Sequence, residues 1–139
     1  MRPLHGFADP FTGMWRLNTG GSQLPFEPPR SVVLQIAATE DAVSLTENSL
    51  DAAGAAEIVT IHARFDGLNY PVEGSALVDS FAIERLDRRT WKATGSRKGV
   101  LIFTELITLS EDGATFREDA ETTLADGARA TATLLYERQ

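Results

Sequence analysis

The sequence predicts an all-β fold, a single up-and-down antiparallel β-barrel of about eight to ten strands. Short runs rich in Val, Ile, Leu, Thr and Phe recur along the chain. Asp66-Gly67, Asp112-Gly113 and Asp126-Gly127 punctuate them at hairpin spacing, because Asp-Gly tolerates the positive φ of a tight turn. No long helical periodicity interrupts the series. With 139 residues, 42% of them apolar, the chain reads as one domain over 1–139, residues 1–10 forming an N-terminal extension.

The runs place strands at roughly 12–18, 31–38, 42–50, 55–65, 68–73, 80–86, 90–97, 100–109, 114–122 and 128–137. Alternation is clear where Val32, Leu34 and Ile36 oppose Val33, Gln35 and Ala37, and where Leu101, Phe103, Ile107 and Leu109 oppose Thr104 and Thr108. The stretch from Ala37 to Ala56 is rich in Ala and Glu, and Thr39 is placed to cap a helix from Glu40. Val43 and Leu45 alternate with Ser44 and Thr46, however, and Asn48-Ser49 would spoil a long helix, so strands are expected. Asn18 to Arg30 holds Gly20, Gly21, Pro25, Pro28 and Pro29 and reads as an irregular crossing or lid. About ten short strands without helices fit a sandwich or a closed barrel, and the even meander spacing favours the barrel.

Composition excludes several functions. Thirteen Lys and Arg against twenty Asp and Glu leave a net charge of −7, which repels nucleic acid and anionic membrane. The absence of cysteine removes disulfides, thiolate zinc sites and cysteine nucleophiles. Two histidines, His5 and His62, preclude a three-histidine metal centre, and no metal or cofactor is expected. The N-terminus has no apolar run of secretory type and no segment is long enough to insert as a membrane helix, so a cytoplasmic location is expected.

The first strand reads Phe11-Thr12-Gly13-Met14-Trp15-Arg16-Leu17-Asn18, and Gly-x-Trp on the first strand of a β meander resembles the lipocalin and calycin group. Asp66-Gly67-Leu68-Asn69-Tyr70-Pro71-Val72-Glu73-Gly74, Arg85-Leu86-Asp87 and the ending Tyr136-Glu137-Arg138-Gln139 extend the likeness to small bacterial lipocalin-like proteins, many of them secreted. The resemblance implies a barrel with a ligand cavity. It also implies that Trp15, two residues after Gly13, closes the base beneath a late arginine, Arg138 or else Arg129, in a cation–π contact. The later lipocalin signatures and the long C-terminal helix are lacking. Fatty-acid-binding relatives hold a carboxylate with Arg-x-Tyr on the last strand; Tyr136-Glu137-Arg138 reverses that order, yet Tyr136 and Arg138 share a strand face.

Two residues are candidates for acid–base chemistry. His62 opposes the apolar set Val59, Ile61, Ala63 and Phe65, which puts it either in the cavity or in water, and its pKa near neutrality suits proton transfer. Glu105 shares a strand face with Leu101, Phe103, Ile107 and Leu109. A carboxylate there either pairs with a cation, for which Arg64, Arg85 and Arg117 are candidates, or has a raised pKa. Phe81 and Arg85 share a face, and Trp91, Ala93 and Gly95 form a large-to-small taper suited to a pocket wall. Arg64, Phe81, Arg85, Trp91, Phe103 and Tyr136 are therefore the expected ligand contacts. Nucleophile-elbow and phosphate-loop motifs are absent. Glu118-Asp119-Ala120-Glu121 reads as a solvated edge.

The expectation is a barrel whose interior binds a small apolar or amphipathic molecule, entered beneath Asn18 to Arg30. An alternative is a cofactor-independent enzyme using Glu105 or His62 for proton transfer, cyclisation, hydration or isomerisation. A third reading is a filled barrel acting through its surface, for instance as a homodimer.

Overall fold

The structure, a computed structural model, describes residues 9–139, so His5 and most of the expected N-terminal extension lie outside the described residues. Ten strands follow one another: β1 (Gly13–Gln23), β2 (Ser31–Ala38), β3 (Ala42–Leu50), β4 (Ala56–Arg64), β5 (Tyr70–Glu73), β6 (Ser80–Asp87), β7 (Thr90–Arg97), β8 (Val100–Leu109), β9 (Thr115–Thr123) and β10 (Arg129–Arg138). Each pairs antiparallel with its sequence neighbours, and β1 also pairs with β10, so the sheet closes into one up-and-down barrel. No helix occurs among the described residues. The barrel is the expected architecture and the sandwich is excluded.

Turn chemistry matches the sequence. In the β9–β10 connection Gly127 takes φ 86° and Asp126 Oδ1 accepts the Ala128 amide at 2.9 Å. Asp112 does the same for Ala114 between β8 and β9, at 3.0 Å. Lys98 and Gly99, both at positive φ, form the two-residue β7–β8 hairpin, the mirror-image turn that matches strand twist. Thr39 does act as a cap, but of a turn: its hydroxyl accepts the amides of Asp41 and Ala42 and the chain reverses into β3.

Two expectations require correction. β1 runs to Gln23 rather than stopping near residue 18, because its pairing with β10 shifts register between Asn18 and Gln23 and so accommodates Gly20 and Gly21. Asn18 Oδ1 accepts the Gly21 amide at 2.9 Å, and Ser22 Oγ accepts the Leu135 amide at 2.9 Å, which satisfies backbone donors across the irregularity. The irregular crossing is thus only residues 24–30. On β8 the register slips at Ile102, since Gly95 opposes Phe103 while Ser96 opposes Leu101. Leu101 therefore faces solvent, 45% exposed, instead of sharing the inner face with Phe103.

Apolar side chains fill one end of the lumen. Phe11 stacks on Trp91 at a centroid distance of 3.9 Å, Trp15 meets Phe116 edge-on at 4.7 Å, and Phe116 stacks on Tyr136 at 4.7 Å. Phe11 and Trp15 are completely buried. The Arg138 guanidinium lies 4.2 Å from the Trp15 ring centroid and donates to the carbonyls of Thr12 (2.8 Å), Pro10 (2.7 Å) and Gly113 (2.9 Å). Arg138, not Arg129, is thus the closing arginine; Arg129 pairs with Glu121 on the outer surface.

Glycine at position 13 follows from this closure. Its φ is +146°, and a Cβ there would lie 2.6 Å from Arg138 Nη1. We predict that Arg138→Ala destabilises the fold by about 1 to 3 kcal/mol, and that Arg138→Lys recovers little, since one ammonium cannot span three carbonyls. Thermal unfolding followed by circular dichroism checks both. Equal stability of Arg138→Ala and wild type would mean that the bracket contributes nothing.

Candidate functional site

Inward side chains follow the ladder register. Paired residues face the same side, so Leu34, Glu47 and Val59 fall on one inner row across β2, β3 and β4, and Ala93, Glu105, Ala120 and Ala132 on another across β7 to β10. On β7 the inner residues shrink from Trp91 through Ala93 to Gly95, and on β10 from Tyr136 through Leu134 to Ala132 and Ala130. Bulky rings therefore close the floor while small residues leave the upper lumen open. The result is a cavity of about 340 Å³, at the lower end of the range typical of small-molecule sites.

Its wall is apolar apart from a few groups. Leu17, Val32, Ile61, Phe81, Ile83 and Phe103 are typical of it, while Leu24, Phe26 and Pro29 from the β1–β2 crossing and Leu77 and Val78 from the β5–β6 loop form the rim. Phe26 and Leu77 are 48% and 52% exposed. Glu57 Oε2 anchors the second rim loop by accepting the Ala76 amide at 3.2 Å, and the Arg30 amide ties the first to Leu50 O at 2.9 Å. Leu24, Phe26 and Pro29 of this shortened crossing line the cavity.

Three carboxyls enter this apolar space: Glu47 from β3, Glu105 from β8 and Glu118 from β9. Glu105 opposes Ala120 and Glu118 opposes Ile107, so the two are diagonal neighbours on adjacent strands, about 7 to 8 Å apart at Cα. Tyr136, diagonal to Glu118 on β10, continues the line, while Glu47 approaches from the other side of the ring. Among the described residues no lysine, arginine or histidine lines the cavity. Among the described residues none of the three glutamates forms an ion pair.

Unpaired burial sets their acidity. Desolvation, reinforced by the neighbouring charge of Glu47, raises Glu105 from the ordinary 4.5 to about 8. Glu118 is raised well above the ordinary value by burial and then by Glu105 and Glu47. Glu47 is raised by burial and by Glu57 at the rim. Burial and the same three glutamates push the Tyr136 phenol up. Burial thus shifts all three carboxyls toward the protonated form, and Glu105, at about 8, is mostly protonated at neutral pH.

Of the residues the sequence singled out, Glu105, Phe81, Trp91, Phe103 and Tyr136 all line the cavity. Gly95 is tightly packed against this wall, since a Cβ there would meet the Phe103 ring at 2.3 Å. Neither Arg64 nor His62 lines the cavity: both are exposed, and His62 Nδ1 is hydrogen-bonded to Ser44 Oγ at 2.9 Å on the outer surface. The apolar set around His62 is the inward one, which leaves His62 to solvent. Arg85 lies beneath the floor, paired with Asp9, donating to Thr39 O at 2.9 Å and standing 4.3 Å over the Phe65 ring. Arg117 pairs with Asp119 on the surface at 3.0 Å. None of the three arginines considered for Glu105 reaches it.

Glu47 and Glu118 were not foreseen. Glu118 is no solvated edge residue, because a closed barrel has no edge and Phe116 two residues earlier fixes Glu118 on the inner face. For Glu47 the same signal stood in Val43 and Leu45. No protein-family model matches this chain, and no curated protein matches it. No described helix is long and apolar enough to cross a membrane, and no group of three or more acidic or histidine side chains with metal-binding geometry occurs among the described residues.

A carboxyl whose folded pKa exceeds its unfolded value keeps its proton longer in the folded chain. Between about pH 4.5 and 8 the folded state thus binds more protons than the unfolded one, and stability falls as pH rises. We predict a Tm that declines from pH 5 to pH 8, with Glu105 alone contributing a loss on the order of 2 to 4 kcal/mol. Glu105→Gln should flatten the profile and be more stable than wild type at pH 8. A Tm that rises over that interval would show that the lumenal carboxyls ionise normally.

Proposed function

We propose that the protein binds a small apolar or amphipathic molecule inside its barrel, in the manner of a lipocalin-like carrier. The observation that carries this reading is the cavity itself: about 340 Å³ of mainly apolar lumen, floored by aromatic rings and rimmed by exposed Phe26 and Leu77. Burial of a ligand's apolar surface there supplies roughly 25 cal/mol per Å². The few polar groups, gathered on β3, β8, β9 and β10, orient it. The Gly13, Trp15 and Arg138 closure, on which the resemblance to lipocalins rests, keeps the opposite end shut.

A second reading has its own supporting observation. A carboxyl with a pKa of about 8 in an apolar cavity is suited to general acid–base catalysis near neutral pH. On that reading Glu105 would move a proton on a bound substrate in a hydration, cyclisation or isomerisation, with Glu118 and Tyr136 as neighbouring donors. His62 has no part in it, being outside the barrel.

Native mass spectrometry of the purified protein, with organic extraction of whatever co-purifies, tests both readings. A stoichiometric amphipathic molecule released unchanged is expected for a carrier, and its conversion by wild type but not by Glu105→Gln would instead establish an enzyme. Ala132→Phe, which places a ring in the lumen, should weaken uptake of an environment-sensitive hydrophobic fluorophore at least tenfold. Thr131→Phe, on the outer face of the same strand, should leave uptake unchanged. Equal binding by both variants would move the ligand outside the barrel.

A further inference from the structure

We propose that the occupant of the cavity is a lipophilic cation, an amine whose ammonium sits among Glu47, Glu105, Glu118 and Tyr136 while its apolar body fills the rest of the lumen. This inference rests on the carrier reading and adds the charge of the ligand.

Three carboxyls line an otherwise apolar cavity, and among the described residues no lysine, arginine or histidine shares its wall. The arginines nearest the lumen are committed at the floor, Arg85 to Asp9 and the Thr39 carbonyl, Arg138 to three backbone carbonyls. A structural role would pair such acids with one of these cations, since unpaired buried charge is costly. Among the described residues no side chain supplies that countercharge.

Independently of the acids, Tyr136 presents a polar group to the same space. It is 2% exposed and lines the cavity, and its hydroxyl takes part in no side-chain hydrogen bond among the described residues. A phenol buried to that degree normally has a partner. An ammonium offers three donors and no acceptor, which the carboxylate oxygens and the phenol oxygen match. A fatty-acid carboxylate offers only acceptors and gains no ion pair here, because the acids must stay protonated to donate to it, whereas an ammonium gains ion pairs as they ionise. The net charge of −7 further favours the approach of a cation.

Binding of an ammonium stabilises the ionised carboxylates and so releases protons. The titratable groups facing the lumen are Glu47, Glu105, Glu118 and Tyr136, with Glu57 at the rim beside Glu47; β1, β2, β6 and β7 contribute only apolar side chains to the cavity wall. Amine affinity therefore rises from pH 5.5 to pH 8.

The experiment compares decylamine, decanol and decanoic acid, all below their aggregation concentrations, by isothermal titration calorimetry at pH 7.5 in two buffers of different ionisation enthalpy. The expected result is decylamine binding at least tenfold tighter than decanol, with proton release, and decanoic acid weakest. Glu105→Gln and Glu118→Gln, each checked for folding by circular dichroism, should bring the ratio of decylamine to decanol affinity close to one. Decanol and decanoic acid binding as well as decylamine would overturn the cation assignment while leaving carriage intact. Failure of all three to bind would overturn both readings. If either glutamine variant is unfolded, the wild-type ranking and its proton release decide alone.

Discussion

The pairing of β1 with β10 is the contact on which the remaining features depend. It joins Trp15 to Arg138 and Leu17 to Tyr136 in register, so residues more than a hundred positions apart become neighbours on one ladder. With ten strands in the ring the lumen is wider than the inward side chains of β7, β9 and β10 can fill. Closure by ladder hydrogen bonds also removes every sheet edge. The cavity is thus a consequence of strand number and of where the sequence places alanine and glycine.

The floor decides the electrostatics above it. Arg138 spans the Pro10, Thr12 and Gly113 carbonyls over Trp15, and Arg85 holds Asp9 while lying over Phe65. Both guanidiniums brace the segment that enters β1, where Asp9 Oδ1 also accepts the Phe11 amide at 2.9 Å. Cations spent in this way are absent from the lumen. The same contacts that seal the barrel therefore leave Glu47, Glu105 and Glu118 without partners, and desolvation rather than pairing governs their protonation.

Much of this was legible in the sequence, for identifiable reasons. Asp-Gly pairs marked hairpins because they tolerate the positive φ of those turns, and Val32, Leu34 and Ile36 declared the inner face of β2 by strict alternation. Glu105 stood out because apolar residues flank it on both sides. Glu118 did not, because Arg117, Asp119 and Glu121 mask its face with charge although Phe116 shares it. The facing of Leu101 depended on a bulge at Ile102 that alternation alone cannot reveal. Arg85 was read as a ligand contact because its face was right, but its length carries the guanidinium below the floor to Asp9, a long-range partner invisible without the closed ring.

An apolar lumen with no cation among its described lining residues raises all three of its carboxyls and holds Glu105 mostly protonated at neutral pH. The most direct measurement is a carbon-13 NMR titration of the glutamate side-chain carboxyls, with assignments from Glu47→Gln, Glu105→Gln and Glu118→Gln. Glu105 titrating near pH 8, Glu118 well above the ordinary glutamate range and Glu47 shifted upward are the predicted result. Titration of all glutamates between about pH 4 and 5 would contradict it and would mean that the lumen is open to water.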